Sequence, residues 1–420
     1  MTARKTASPP PRKMDADVIV VGGGAAGCTM AGLLAKHGVS VICLDADDPQ
    51  KAMRADFDGR TMAISFGSRR VIEEAGAWDA LEAAACPIED IKITENGSDT
   101  LLEFLAQDVD EEAFGWIVEF RNLRKSLFET LARQKNARHI APARVSGYEL
   151  HGDAACAVLE DGTKLHARLV IGADGKNSMT REWMGIGTRG KSYRQRGIVC
   201  IVRHENPHNN IAVEDFRGDG PFAILPMTDD EQGNHRSSIV WTEHEGTQKS
   251  ITLWDENSFN AALNERFPSF YGAVQCAGPR FSYPLGLKHA YAYTGPRMAL
   301  IADAAHAIHP IAGQGLNLGL RDVAELAQLI IRAHKNGGDA GSHDLLEAYE
   351  RARRTDNMVM AGATDTLNAL FSNNRRGIGF LRRAGLRAVQ RFHPARQFFM
   401  RQAMGASGLL PDLIKTGRIL

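Results

Sequence analysis

The stretch from residue 17 to residue 45 constrains this chain more than any other. Val18-Ile19-Val20-Val21 is an unbroken apolar run, as a buried parallel strand requires. It leads directly into Gly22-Gly23-Gly24-Ala25-Ala26-Gly27, then into an alanine- and leucine-rich segment that stops at His37-Gly38. A second apolar run, Val39 to Leu44, closes on Asp45. The spacing predicts a strand–helix–strand unit. Gly22 permits the tight turn, Gly24 lets the backbone approach a pyrophosphate, and Gly27 lets the helix pack on the strand. Ala25 and Ala26 open a helix whose free N–H groups and positive dipole end favour phosphates. Asp45 is placed to accept hydrogen bonds from the ribose hydroxyls of an adenosine half. Gly185-x-Gly187-x-x-Gly190 fits the same string, but no strand precedes it, no apolar helix follows and no acid closes a unit. It therefore predicts no second nucleotide platform.

A length of 420 residues exceeds a typical single domain and predicts two domains with a helical tail. Fifty basic and fifty acidic residues balance, which gives no general case for nucleic-acid binding. The six cysteines are scattered with no CxxC pair, so they read as free thiols of a reducing cytosol, with no metal site and no catalytic cysteine. Residues 1–14 read as a disordered leader, basic and proline-rich without the apolar core of a secretory signal. No run of about 18 apolar residues exists, so no transmembrane helix is expected.

Two later segments carry a further pattern. Leu169-Val170-Ile171-Gly172-Ala173-Asp174-Gly175 is an apolar strand running into Asp-Gly, with Arg181 close by. Leu300-Ile301-Ala302-Asp303 is another strand ending in an acid, followed by His306, His309-Pro310, Gly313, Gly315 and Asn317. Together with the N-terminal unit, this pattern resembles the single-component flavin hydroxylases, the family of para-hydroxybenzoate hydroxylase. The resemblance implies an α/β FAD-binding domain, a glutathione-reductase-like Rossmann variant. An inserted, mainly antiparallel β-sheet substrate domain and a helical C-terminal tail complete the expected fold. The expected division assigns 15–85, 116–188 and 284–370 to FAD binding, 86–115 and 189–283 to the substrate sheet, and 371–420 to the tail. The resemblance also implies that Asp174 lies along the cofactor and nicotinamide path, that Asp303 binds the ribityl chain, and that Pro310 to Asn317 passes the isoalloxazine ring. A carboxylate suits ribityl hydroxyls, which are donors. Gly313 and Gly315 let backbone N–H groups approach a ring carbonyl, and a helix N-terminus stabilises charge on reduced flavin. The family has Gly before the ribityl-binding Asp; this chain has Ala302, one methyl more.

Closer matches are to the ubiquinone-biosynthesis hydroxylases. Asp58-Gly59-Arg60-Thr61-x-Ala63-Ile64 resembles their second flavin-contacting segment and implies a role for Arg60 near the isoalloxazine or pyrophosphate. Val118-Glu119-Phe120-Arg121 resembles their Val-Glu-Asn-Arg segment and carries Arg121 into the site, with Phe120 in place of the asparagine. The implied chemistry is aromatic hydroxylation. NAD(P)H reduces FAD, and a flavin C4a-hydroperoxide delivers one oxygen of O2 to a polyprenylated phenol. No base can be assigned; Tyr193, Gln195, His309 and Pro310 are candidates for the ring pocket. Residues 375–401 hold eight arginines and no acid, interleaved with apolar residues, which fits either contact with anionic lipid or packing on the protein itself. The expected location is the cytoplasm, with peripheral contact to the inner face of the membrane, other pathway proteins and a homo-oligomer as further partners. The alternatives are a hydroxylase of a soluble aromatic acid, a flavin reductase or halogenase, and a non-catalytic FAD-binding assembly subunit.

Overall fold

Burial on both faces explains the apolar run that begins the first unit. In this computed structural model, which describes residues 13–54, 59–97, 100–109, 112–246, 250–308, 313–371, 385–405, 408 and 410–419, strand β1 (Ala16–Val21) lies between two parallel neighbours. These are β2 (Val41–Leu44) and β11 (Lys164–Gly172). The sheet continues in the order β18 (Thr294–Gly295), β19 (Met298–Leu300), β11, β1, β2, β8 (Ala137–Ile140), with the hairpin β9 (Val145–Leu150) and β10 (Ala155–Leu159) on β11. Val18, Ile19 and Val20 are wholly buried. Helix α1 (Ala25–Lys36) is buried from Ala25 to Ala35, because α4 (Phe120–Arg133) and α7 (Gln314–Lys335) close over it. Its small residues let three elements meet there.

Two other sheets complete the core. β3 (Thr61–Ser65) and β4 (Cys86–Ile88) flank β7 (Gly115–Glu119) in antiparallel register. A nine-stranded sheet runs in the order β20 (His306–Ala307), β17 (Phe281–Ala290), β12 (Thr188–His204), β15 (His235–His244), β14 (Gly220–Met227), β13 (Ile211–Arg217), β5 (Asp90–Glu95), β6 (Leu102–Leu105), with β16 (Val274–Cys276) also on β12. Its pairs are antiparallel except β5 with β13, which is parallel. Helix α6 (Glu256–Arg266) covers one face, with Phe259 and Leu263 packed among Phe222, Trp241 and Ile198. Helices α2 (Pro49–Ala52), α3 (Phe66–Glu74), α5 (Met179–Trp183) and α8 (His343–Phe371) complete the numbered set. Further helical segments follow at residues 385–391, His393–Ala403 and Asp412–Thr416.

Strand boundaries and sheet membership differ from the expectation at two places. Cys86–Ile88 joins the three-stranded sheet rather than the large one, and the expected division at 283/284 falls inside β17. Apolar alternation marks a half-exposed strand but carries no information about its partner. As a result, β20, which directly follows the Asp303 turn, is bonded to β17, so the large sheet reaches the flavin-motif region.

Candidate functional site

The start of α1 is built so that side chains stay out of it. Gly22 has φ +108°, and a Cβ there would lie 2.4 Å from the carbonyl oxygen of Ala173. A Cβ on Gly27 would lie 1.9 Å from the Gly22 oxygen. Gly24 has open space around it, and no side chain caps the helix, so the N–H groups of its first turn are presented to a ligand. The Asp45 carboxyl rests against Gly23, where a Cβ would meet Oδ2 at 2.4 Å, and accepts the Asp47 N–H at 3.2 Å. Burial pushes its pKa up, while Arg124 and His139 pull against that.

Asp303 sits on a 3-10 turn, Ala302–Ala304, after β19. Ala302 has φ +53°, a left-handed conformation that explains why glycine would be favoured there. Its methyl fits because the facing residue on α7 is Gly319, where an added Cβ would lie 2.6 Å from the Ala302 Cβ. The Asp303 side chain is solvent-accessible although protein surrounds it on nearly every side, the environment of a carboxyl in a cleft. The carboxyl can therefore be reached by a ligand. Burial pushes its pKa up; His306, Arg60 and Lys176 oppose that.

A buried hub holds this turn from behind. Asp322 on α7 accepts from His306 Nε2 at 2.5 Å, Arg353 Nε at 2.9 Å, Asn357 Nδ2 at 3.0 Å and the Ala302 N–H at 3.1 Å. Burial alone would raise its pKa, but His306 and Arg353 outweigh it and hold Asp322 at about 2. His306 is therefore a packed, hydrogen-bonded histidine. The partners of Asp322 in this hub come from several elements far apart in the chain, and no local pattern signals them.

Helix α7 starts as α1 does. Gly313 is its N-cap, at φ +63°, with no side-chain cap; a Cβ there would lie 2.8 Å from the Ala63 Cβ. Gly315 is open. Asn317 accepts from the Ser65 N–H at 2.9 Å and donates to the Ala63 and Gly313 carbonyls at 2.9 and 3.0 Å. Its amide thus bolts β3 to the start of α7 and positions backbone. Asp174 is likewise engaged: it accepts from Ser178 Oγ at 2.5 Å and from the N–H and hydroxyl of Thr180, both at 2.9 Å. Arg181, noted in the sequence only as a neighbour, donates to the Ala304 and Lys176 carbonyls at 2.7 and 3.1 Å and ties the Asp-Gly segment to the Asp303 turn.

Phe120 lies between two guanidinium groups, Arg60 at 4.7 Å and Arg124 at 4.9 Å from the ring centre, and Arg60 also lies 5.4 Å from the ring of Tyr283. The ring thus replaces the polar contact of the family's asparagine with cation–π contacts. Arg121 turns to Glu119 at 2.7 Å. Beside it is a cavity of about 230 Å³ whose charged lining is Arg60, Arg121, Arg203 and Arg236 against Glu119 and Asp230. Glu119 also meets Arg236 at 3.4 Å, and Asp230 meets Arg203 at 2.7 Å.

Of the ring-pocket candidates, Tyr193 and Gln195 are among the described residues, both on β12. The strand β12 changes register between Ser192 and Gln195, with Arg194 at φ +53°. Tyr193 donates to Asp365 Oδ1 on α8 at 3.0 Å; burial and that carboxylate push its phenol pKa up, which makes it unsuited to act as a base. Gln195 is buried, and its Oε1 has no hydrogen-bond partner among the described residues. His309 and Pro310 lie outside the described residues. The structure also groups Cys28, Cys43 and His139, with ligand atoms within 4.8 Å of one another. The hydrogen bond to Cys43 and burial push the Cys28 thiol well up, which opposes the thiolate that a metal needs.

Comparison with known proteins gives a consistent picture. Residues 15–362 match the family described as FAD binding domain. The chain is 44% identical to a ubiquinone hydroxylase of Rhodospirillum rubrum over 397 residues, covering 94% of this chain and 91% of that one. It is 32% identical to the 3-demethoxyubiquinol 3-hydroxylase of Escherichia coli, covering 93% of this chain and 98% of that one. The p-nitrophenol 4-monooxygenase of Pseudomonas putida shares the fold, with a TM-score of 0.78 at 19% identity over 94% of this chain and 99% of that one.

Proposed function

Because the chain belongs to the FAD-binding hydroxylases of ubiquinone biosynthesis, we propose that it inserts one oxygen atom of O2 into the ring of a polyprenylated phenol, with NAD(P)H as reductant. It is an FAD-dependent monooxygenase. The observation that supports this reading is that α1 and α7 both start without a side-chain cap and pack on each other, with Asp45 against Gly23 of the first start and the Asp303 turn packed on α7. Bound FAD supplies hydride acceptance and O2 activation. The residues around it bind, orient and tune. Asp45 accepts from the adenosine ribose, and Asp303 accepts from the ribityl chain. The start of α7, fixed by Asn317, stabilises negative charge at the ring. In this reading the sheet around β1, with α1 and α7, forms the flavin part, and the large sheet, residues 284–290 of β17 included, forms the substrate part, where Gln195 offers a buried amide oxygen. No side chain is assigned as the base.

The arginine-lined cavity suits the phosphates of NAD(P)H, since four guanidinium groups face two carboxylates. The same charge is what a hydroxylase of a soluble aromatic acid would need, so the substrate class requires its own test. The purified yellow protein is assayed for NAD(P)H oxidation stimulated by a prenylated phenol or by an aromatic acid. A deletion strain is analysed by mass spectrometry for a quinone precursor one hydroxyl short. Stimulation by the phenol and accumulation of that precursor are expected. A folded, colourless preparation that takes up no FAD, or normal quinone levels in the deletion strain, would overturn the reading.

A further inference from the structure

The helix His393–Ala403 has two faces of opposite character. Met400 and Met404 are buried, in the cluster of Phe104, Leu102, Phe114 and Ile117, and Arg396 reaches Asp108 at 3.1 Å. These three recur every four residues and define the inner stripe of the helix. The other side presents aromatic rings to solvent: Phe398 is 56% exposed and Phe399 43%, with Phe392 just before the helix at 62%. The rings of Phe398 and Phe399 touch each other edge to face, with centres 5.6 Å apart. Large apolar side chains clustered in the open mark an interaction surface. The charge the segment itself carries is of one sign: Arg387, Arg391 and Arg401 are exposed, and residues 385–405 contain no Asp or Glu.

We propose that this surface, Phe392, Phe398 and Phe399 with the exposed Arg387, Arg391 and Arg401 of the same segment, docks the protein on an anionic lipid bilayer. Aromatic rings enter the headgroup boundary while arginines meet lipid phosphates. A second copy of the chain is a poorer fit, because a symmetric contact would bring the arginines of both copies together. Position supports the same occupant: Gln390 Oε1 accepts from the Glu103 N–H at 3.0 Å, so the surface flanks β6 at the edge of the large sheet. The inference deepens the proposed function, since a polyprenylated phenol dissolves in the bilayer beside the sheet assigned to it.

The test uses full-length, FAD-loaded protein and vesicle flotation. One set of vesicles is phosphatidylcholine alone, and the other has about a third phosphatidylglycerol. Flotation is expected with the anionic set and is expected to weaken with salt. F392S/F398S/F399S should abolish it, and each of Arg391→Gln and Arg401→Gln should lower partition roughly five-fold. Flavin content and turnover of a short-chain, water-soluble prenylphenol should stay unchanged in all variants. Equal flotation of wild type and variants, equal flotation on neutral vesicles, or self-association through the phenylalanines without vesicle binding would overturn the proposal. Loss of turnover on the short-chain phenol by the wild type would count against the proposed function instead.

Discussion

Ala302 and Gly319 should behave as a coupled pair. Ala302 holds φ +53°, and its methyl occupies the space that Gly319 leaves on α7. A left-handed alanine costs about 1–2 kcal/mol, and glycine loses about 0.5–1 kcal/mol of that advantage through backbone entropy. Ala302→Gly should therefore stabilise by about 0.5–1 kcal/mol. Gly319→Ala gains about 1 kcal/mol of helix propensity, but the new Cβ would stand 2.6 Å from the Ala302 Cβ, an overpacking of about 1–3 kcal/mol. Alone it should be destabilising. In the Ala302→Gly background the nearest remaining atom is the residue 302 Cα at 3.2 Å, so most of the clash is gone. The coupling energy should be about 2 kcal/mol. Since Asp303 follows Ala302 directly, Gly319→Ala alone should also weaken FAD binding. Urea unfolding of the four proteins at one fixed excess of FAD gives the cycle, and flavin fluorescence gives the affinities. If Gly319→Ala costs the same in both backgrounds to within about 0.5 kcal/mol, the steric account is wrong.

Asp322 should govern part of the acid limb of stability. Its folded pKa of about 2 lies below the ordinary 3.8, so the unfolded chain binds more protons between those values. Its contribution, about 2 kcal/mol, is complete above pH 4 and fades as pH falls towards 2. Asp322→Asn should flatten that part of the curve and cost about 3–5 kcal/mol at neutral pH, because Arg353 stays buried with one partner fewer. Unfolding at a series of pH values checks both. Phe120→Leu keeps an apolar side chain but removes the ring between Arg60 and Arg124. Without that pair of cation–π interactions the protein should be about 1–2 kcal/mol less stable in unfolding experiments. Arg236→Gln should raise KM for NAD(P)H roughly ten-fold with kcat nearly unchanged, and pyrophosphate should compete with NAD(P)H in the wild type only.

The first unit was legible because every part of it is local. A strand, a glycine turn and a small-residue helix follow one another, and the contacts that require Gly22 and Gly27 are made within the motif or with Ala173. The side chains of Asp174, Asn317 and Tyr193 bond to the protein itself. Asp174 caps its own neighbours, and the spacing to Ser178 and Thr180 is a readable capping signal. Asn317 and Tyr193 bond to β3 and α8, elements that sequence spacing cannot bring near. The extra methyl of Ala302 is plain in the sequence, but the residue that accommodates it, Gly319, lies 17 positions away. The Asp322 hub and the parallel pairing of β5 with β13 carry no local signature at all.

The N-caps reveal how the cofactor and the fold depend on each other. Helices α2, α3, α5 and α6 begin with Asp48, Ser65, Ser178 and Asp255, each of which accepts from its helix's first turn. Helices α1 and α7 begin instead on Gly24 and Gly313, with no side-chain cap; α4, which begins on Glu119, also lacks one. Leaving out such a cap forgoes about 1 kcal/mol per helix. In the proposed function, a bound anion or ring carbonyl at those ends would restore what the side chains do not supply. The two helices pack on each other in the main core, so a ligand that satisfies both ends stabilises the contact between them. The N–H groups proposed to meet the flavin are thus among the helix ends that no side chain caps. Binding and folding then share one free energy, and mutations that weaken FAD affinity will register as lost stability even where they touch no other residue.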